Sequence, residues 1–120
     1  MLDPVCVNEL PKEAHDTLSL IWKYGDDGSK FPFPKKDGST FDWRPNDPYP
    51  FPRKPQGYYK EYTVITPGAP NRGKLRIVTG GDPKDKVEDW WSDDHYDTFH
   101  PIDYTCDTSG PNAPSPMGSR

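Results

Sequence analysis

The sequence predicts an α+β fold, with one N-terminal helix packed on a twisted antiparallel sheet. Three observations lead there. A single helical period lies early in the chain, strand-like alternation resumes after residue 57, and two distant cysteines bracket the patterned part. Helix first and consecutive strands afterwards put the helix on one face of a meander and leave the opposite face available.

The helix is expected over residues 10–24. Pro11 suits an early helical position, and Glu13 falls in the first turn, where a carboxylate is favoured. Ala14, Leu18, Ile21 and Trp22 recur at helical spacing as one apolar stripe, and Gly25 follows as a stop. Residues 25–56 read as loop. Asp26-Asp27-Gly28 and Asp37-Gly38 are turn signals, and five prolines between Pro45 and Pro55 exclude a central strand in favour of a stiff extended segment. From Gly57 to Thr66 side chains alternate, with Tyr59, Glu61, Thr63 and Ile65 on one face and Tyr58, Lys60, Tyr62 and Val64 on the other. Pro67-Gly68 makes a turn into a second strand, Lys74 to Thr79. A third strand is expected around His95 to Phe99, after an acidic and aromatic connection that carries Trp90 and Trp91 as packing or rim residues. Ile102 to Cys106 adds a last short strand.

With 120 residues the chain makes one domain around a modest core that leans on five Phe, seven Tyr and four Trp. Cys6 and Cys106 are the only cysteines. They read most simply as one disulfide, the alternative being two unrelated buried thiols. Closing a loop of about 100 residues stabilises by roughly 4–5 kcal/mol on the chain-entropy account. A bridge implies an oxidising compartment, hence a secreted protein. No apolar run reaches the length of a membrane span. The net charge of −4 excludes a general nucleic-acid coat protein, while leaving room for a local basic cleft. Residues 1–106 form the expected domain. From Asp107 onward Pro, Ser, Gly and Asn dominate without periodicity, and 107–120 is expected to be a disordered tail.

Three groups stand out for chemistry. Glu61 and Arg76 lie on the first two long strands, and His95 on the segment after them. A carboxylate, a guanidinium and an imidazole can together break a phosphodiester without a metal: one takes a proton, one returns it, and one holds the charge that builds between them. An exposed ion-pair cluster across a sheet is the plainer alternative for the same residues. Asp93, Asp94, His95, Asp97 and His100 also invite a metal site. On an extended strand, however, His95 and His100 point to opposite faces, so none is expected.

The segments around these groups carry more. Glu61-Tyr62-Thr63-Val64-Ile65-Thr66-Pro67-Gly68, Arg72-Gly73 with Arg76-Ile77-Val78-Thr79-Gly80, and Asp94-His95-Tyr96 with Thr98-Phe99 resemble the catalytic strands of the barnase-like microbial ribonucleases. The closest likeness is to the secreted, disulfide-bonded, guanyl-specific bacterial group. Leu10-Pro11, Glu13-Ala14, Asp16-Thr17-Leu18 and Ile102-Asp103 with Thr105-Cys106 resemble it too, so the likeness spans residues 5–106.

That resemblance implies an endoribonuclease acting on single-stranded RNA without a cofactor. Glu61 would be the general base on the ribose 2′-hydroxyl, His95 the acid for the departing 5′-oxygen, and Arg76 the stabiliser of the phosphoryl charge. Arg72, less directly, and Tyr96 would hold the phosphate. The product would be a 2′,3′-cyclic phosphate that water then opens.

The base-reading loop of the family has the form Phe-x-Asn-Arg-Glu; here it reads Phe41-Asp42-Trp43-Arg44-Pro45-Asn46-Asp47. Phe41 and Arg44 fit. Trp43 replaces the Asn and is either a stacking platform for a base or a hydrophobic lid. Pro45 replaces the acid that reads guanine, and a shift in register would bring Asp47 to that role, with a shorter side chain. The resemblance further implies a monomer that is a free exoenzyme or a toxin domain, held in check by a barstar-like inhibitor, with no membrane partner. A non-catalytic binding module using the aromatic and proline-rich loop is the competing function.

Overall fold

The computed structural model describes residues 3–42, 49–86 and 88–106. Helix α1 runs from Lys12 to Tyr24. Pro11 is its N-cap, just outside the first turn, and the Pro11 carbonyl accepts from the N–H groups of Ala14 and His15. Ala14, Leu18 and Ile21 are fully buried, while Trp22 sits at the stripe's margin with its ring edge-on to Tyr104. Gly25 ends the helix at φ −58°, so glycine is not needed there for a left-handed turn. Space is the reason instead: a Cβ would lie 2.5 Å from the Ile21 carbonyl oxygen and 2.7 Å from the Pro83 side chain.

Six strands follow in chain order: β1 Val5–Cys6, β2 Ser39–Thr40, β3 Tyr59–Thr63, β4 Arg76–Gly80, β5 Glu88–Ser92 and β6 His100–Asp103. They form one sheet in the order β1-β6-β5-β4-β3-β2. All neighbours are antiparallel except β1 and β6, whose parallel pairing of Val5 with Ile102 and Cys6 with Asp103 makes the sheet mixed. The expected antiparallel sheet is present from β2 to β6, and the one parallel pair is added by a two-residue strand too short to show a period. Cys6, the last residue of that strand, is joined to Cys106 in the expected disulfide, across 100 residues of sequence.

The strand expected at His95 to Phe99 does not form. Residues His95 and Tyr96 both have positive φ, 57° and 76°, which breaks extended backbone outright. The third long strand is instead Glu88–Ser92, the segment expected to be a connection. Its Trp90 and Trp91 are buried on opposite faces, so the polar–apolar alternation of a half-buried strand is missing. With the 95–99 strand goes the argument that alternation separates His95 from His100. Among the described residues no three His, Cys, Asp or Glu side chains converge as metal ligands would.

The pairings Tyr62–Ile77 and Ile77–Trp91 put those three residues on the face covered by α1, where they join Val7, Leu10, Leu18, Ile21 and Ile102 in one core. The pairings Glu61–Val78, Val78–Trp90, Thr63–Arg76 and Arg76–Ser92 assign the other face. At one end of that face lies a second core of Phe41, Phe51, Tyr59, Val78, Trp90 and Phe99. At the other end lie Glu61, Thr63 and Arg76. The tail expected at 107–120 lies outside the described residues.

Candidate active site

Glu61 is held from two sides on one oxygen. The Tyr96 hydroxyl donates to Glu61 Oε1 at 2.9 Å, and Arg72 Nη2 donates to the same atom at 3.4 Å. Glu61 Oε2 has no partner among the described residues. The carboxylate is about one-fifth exposed, so water and a ligand can both reach it.

Arg72 is placed by more than its charge. Its Nε donates to the buried Thr63 hydroxyl at 3.0 Å, and its guanidinium lies 5.9 Å from the centre of the Phe33 ring. Asp37 in turn accepts the backbone N–H groups of Thr63 and Phe33, tying strand β3 to the loop that supplies the ring. Arg72 therefore meets Glu61 directly, a larger part than its sequence position suggested. Between Arg72 and Arg76 the chain turns at Gly73, φ 67°, where any Cβ would collide with the Thr66 side chain.

Arg76 is 2% exposed, and its Nη1 donates to the backbone carbonyls of Leu75 (2.9 Å) and Arg72 (3.5 Å). Its Nε is buried without a hydrogen-bond partner among the described residues. Burial, and then the like charge of Arg72, lower its pKa. Two neighbouring guanidiniums facing one partly buried cleft make an arrangement that an anion would relieve.

Tyr96 is the hub. Its hydroxyl reaches Glu61, its ring centre lies 6.0 Å from the Arg76 guanidinium carbon, and it packs against Phe41 at 4.8 Å and the His95 imidazole at 5.1 Å. Burial, followed by the adjacent Glu61 charge, raises the Tyr96 pKa far above that of a free phenol. The phenol stays a donor at any working pH. His95 is exposed at the cleft margin, and its backbone N–H bonds the Lys74 carbonyl at 3.1 Å.

Two consecutive non-glycine residues with positive φ are strained, and the surroundings hold them there. Asp94 accepts from the Ser92 hydroxyl, the Thr98 N–H and the Thr98 hydroxyl, and Ser92 Oγ accepts the Tyr96 N–H. Burial works against ionisation of Asp94, but the Thr98 and Ser92 hydrogen bonds outweigh it and lower its pKa. Asp94 and Ser92 thus position both His95 and Tyr96, a role that an extended strand over 95–99 would not allow. The signal was present in the Asp94–Thr98 spacing, which suits a side chain closing its own turn.

The structure therefore brings Glu61, Arg76 and His95 together around Tyr96, with Arg72 joined to them through Glu61. Of the expected base-binding residues Phe41 is buried against that ring, while Trp43, Arg44 and Asp47 lie outside the described residues. A carboxylate with one open oxygen, an exposed imidazole and two cations can transfer a proton at each side of an anionic centre.

A protein-family model described as ribonuclease matches residues 2–103. Guanyl-specific ribonuclease Sa of Kitasatospora aureofaciens is 48% identical over 103 residues, 85% of this chain and 95% of that protein. Guanyl-specific ribonuclease Sa3 of the same organism is 45% identical over 102 residues, and there the match covers 85% of this chain but 64% of the longer relative. Guanyl-specific ribonuclease St of Saccharopolyspora erythraea is 39% identical over 97 residues, 81% of this chain and 84% of that one. The crystal structure of ribonuclease Sa2 with guanosine-2′-cyclophosphate superposes with a TM-score of 0.71 at 45% identity, covering 88% of this chain and all of that one.

Proposed function

The chain belongs to the microbial guanyl-specific ribonuclease family and is an endoribonuclease, and from that premise we propose that it cleaves single-stranded RNA after guanosine through a 2′,3′-cyclic phosphate. The observation that carries this reading is the arrangement of Glu61, Arg76 and His95 around Tyr96.

Glu61 Oε2 takes the proton from the ribose 2′-hydroxyl while Oε1 stays held by Tyr96 and Arg72. The 2′-oxygen bonds to phosphorus, the bond from phosphorus to the 5′-oxygen breaks, and protonated His95 gives its proton to that oxygen. Arg76 and Arg72 receive the extra negative charge on the phosphoryl oxygens, where forked donors in a partly buried cleft act strongly. In the second step His95 takes a proton from water, the hydroxide opens the cyclic phosphate, and Glu61 returns a proton to the 2′-oxygen. Every proton has a carrier within the cleft, so the chemistry asks for no metal. The 2′-hydroxyl as nucleophile restricts the substrate to RNA.

Guanine selection is the part supported by kinship and not by residue pattern, because Pro45 stands where the family has an acid. Asp47 takes that role in this reading. The disulfide supports secretion. A free exoenzyme or a toxin domain, checked by a barstar-like inhibitor in the producing cell, fits such a product.

Single-stranded RNA incubated with the protein in excess chelator is expected to yield 2′,3′-cyclic phosphate ends, and His95→Ala to slow this by about 10²–10⁴-fold. No cleavage by the wild type, or full activity in His95→Ala, would sink the assignment. GpN dinucleotides are expected to react faster than ApN, and equal rates would remove guanine selection.

A further inference from the structure

Arg72 reaches the cleft without help from a strand. It precedes β4, which begins at Arg76, and no ladder pairing fixes its direction. Its ion pair with Glu61 is long, 3.4 Å, and both side chains are partly exposed. A single pair of that kind contributes little and does not hold a long side chain in one rotamer. The like charge of Arg76 opposes its presence as well. Other contacts must keep it there.

Two do. The fully buried Thr63 hydroxyl accepts from Arg72 Nε at 3.0 Å, and the Phe33 ring centre lies 5.9 Å from the guanidinium carbon, within cation–π range. One carboxylate holds both walls. Buried Asp37 accepts the Thr63 N–H on Oδ1 at 2.7 Å and the Phe33 N–H on Oδ2 at 3.1 Å. Strand β3 and the Phe33 loop are thus tied to each other, and Arg72 touches both.

The atom that Thr63 engages decides what the rest of the guanidinium can do. An arginine beside a carboxylate frequently pairs with it through two parallel hydrogen bonds. On Glu61 that fork would occupy Oε2, the oxygen that has to take the 2′-hydroxyl proton. With Nε committed to Thr63, Arg72 meets Glu61 through Nη2 and Oε1 alone. Its Nη1 has no partner among the described residues and stays available to an anion.

We propose that Thr63 and Phe33 are positioning residues that clamp Arg72, keeping Glu61 Oε2 open and one guanidinium nitrogen free for the substrate phosphate. The effect on rate rests on the ribonuclease reading above; the clamp itself does not.

The clamp is read from the Arg72 Nε–H resonance of isotope-labelled protein. In the wild type this proton is expected to exchange slowly with water. In Thr63→Val, which keeps the shape and loses the acceptor, it is expected to exchange too fast to be seen at neutral pH, and in Thr63→Ser to be slow again. For the rate, kcat and KM are measured on GpU. Thr63→Val should lower kcat roughly ten- to hundredfold with a smaller change in KM, and Phe33→Leu should lower it roughly two- to fivefold. Thr63→Ser should restore most of the loss. In an Arg72→Ala background, already slowed, neither Thr63→Val nor Phe33→Leu is expected to have a further effect, because both act through Arg72. Equal losses with and without Arg72 overturn the clamp, as does a wild-type Nε–H signal in Thr63→Val. Unfolding midpoints are followed throughout, and Phe33→Leu, at a partly exposed position, carries the test if Thr63→Val does not fold. A wild type that shows the slow Nε–H proton but does not cut GpU would strike the ribonuclease reading instead.

Discussion

The two faces of the sheet are built from alternate residues of the same three strands, yet each treats a carboxylate differently. On the face toward α1, Asp89 is buried; it accepts a hydrogen bond from the Tyr104 hydroxyl, while its Oδ1 has no partner among the described residues. Burial pushes its pKa up to about 6, against the smaller opposing effect of the Tyr104 hydrogen bond. On the far face Glu61 is partly exposed and held by a phenol and a guanidinium, with one oxygen open. A carboxylate sealed under a helix acts on stability, and one at a cleft margin is open to a ligand. Position in the strand decides which, because a shift of one residue changes the face.

The contrast breaks most sharply under paired substitutions. Glu61→Gln is expected to lower kcat by about 10²–10⁴-fold with little change in unfolding midpoint. Leu18→Ala, beneath the other face, should do the reverse, costing about 2–5 kcal/mol in urea unfolding while kcat holds. Loss of rate from Leu18→Ala in a still-folded sample would show that the faces are coupled.

A pH series tests Asp89 next. Its folded pKa is raised from the ordinary 3.8 to about 6, so folding favours the protonated form. That contribution is fully present below pH 4 and is lost as pH rises through 6, amounting to about 3 kcal/mol. In Asp89→Asn this segment of the stability curve should flatten, read from urea midpoints at pH 4, 5, 6 and 7. Parallel curves for wild type and variant would remove the role assigned to burial.

The smallest effect is expected at the hub. Tyr96→Phe keeps the ring that touches Arg76, His95 and Phe41 and removes the hydroxyl on Glu61. One hydrogen bond to a charged group corresponds to about 1.5–3 kcal/mol, so kcat/KM should fall by roughly one to two orders of magnitude. No further loss when Tyr96→Phe is added to Glu61→Gln would tie the effect to Glu61, and full additivity would move it elsewhere.

Most of this contrast was legible in the residues. The α1 stripe, the alternation along β3 and β4, and the distant cysteines each follow a period or a spacing that survives in the structure. Glu61 and Arg76 share a face because their strands pair in register, with Glu61 opposite Val78 and Arg76 opposite Thr63. What could not be read is where the chain departs from a period. Trp90 and Trp91 are both buried, so β5 lacks a polar side, and Val5–Cys6 is too short to have one. His95-Tyr96-Asp97-Thr98-Phe99 alternates like a strand but turns, because Asp94 and Ser92 supply hydrogen bonds that extended backbone would forgo. Left-handed residues that are not glycine leave no mark in composition.

The parallel β1–β6 pairing and the adjacent disulfide have an engineering consequence. They close residues 6 to 106 into a covalent ring, with both ends of that ring at one edge of the sheet. Four strand intervals separate that edge from β3, about 19 Å at ordinary strand spacing. A surface tether attached directly at the β1 edge would therefore start well away from Glu61. A circularly permuted chain could be reopened in the loop after Thr66 without exchanging one strand of the sheet for another.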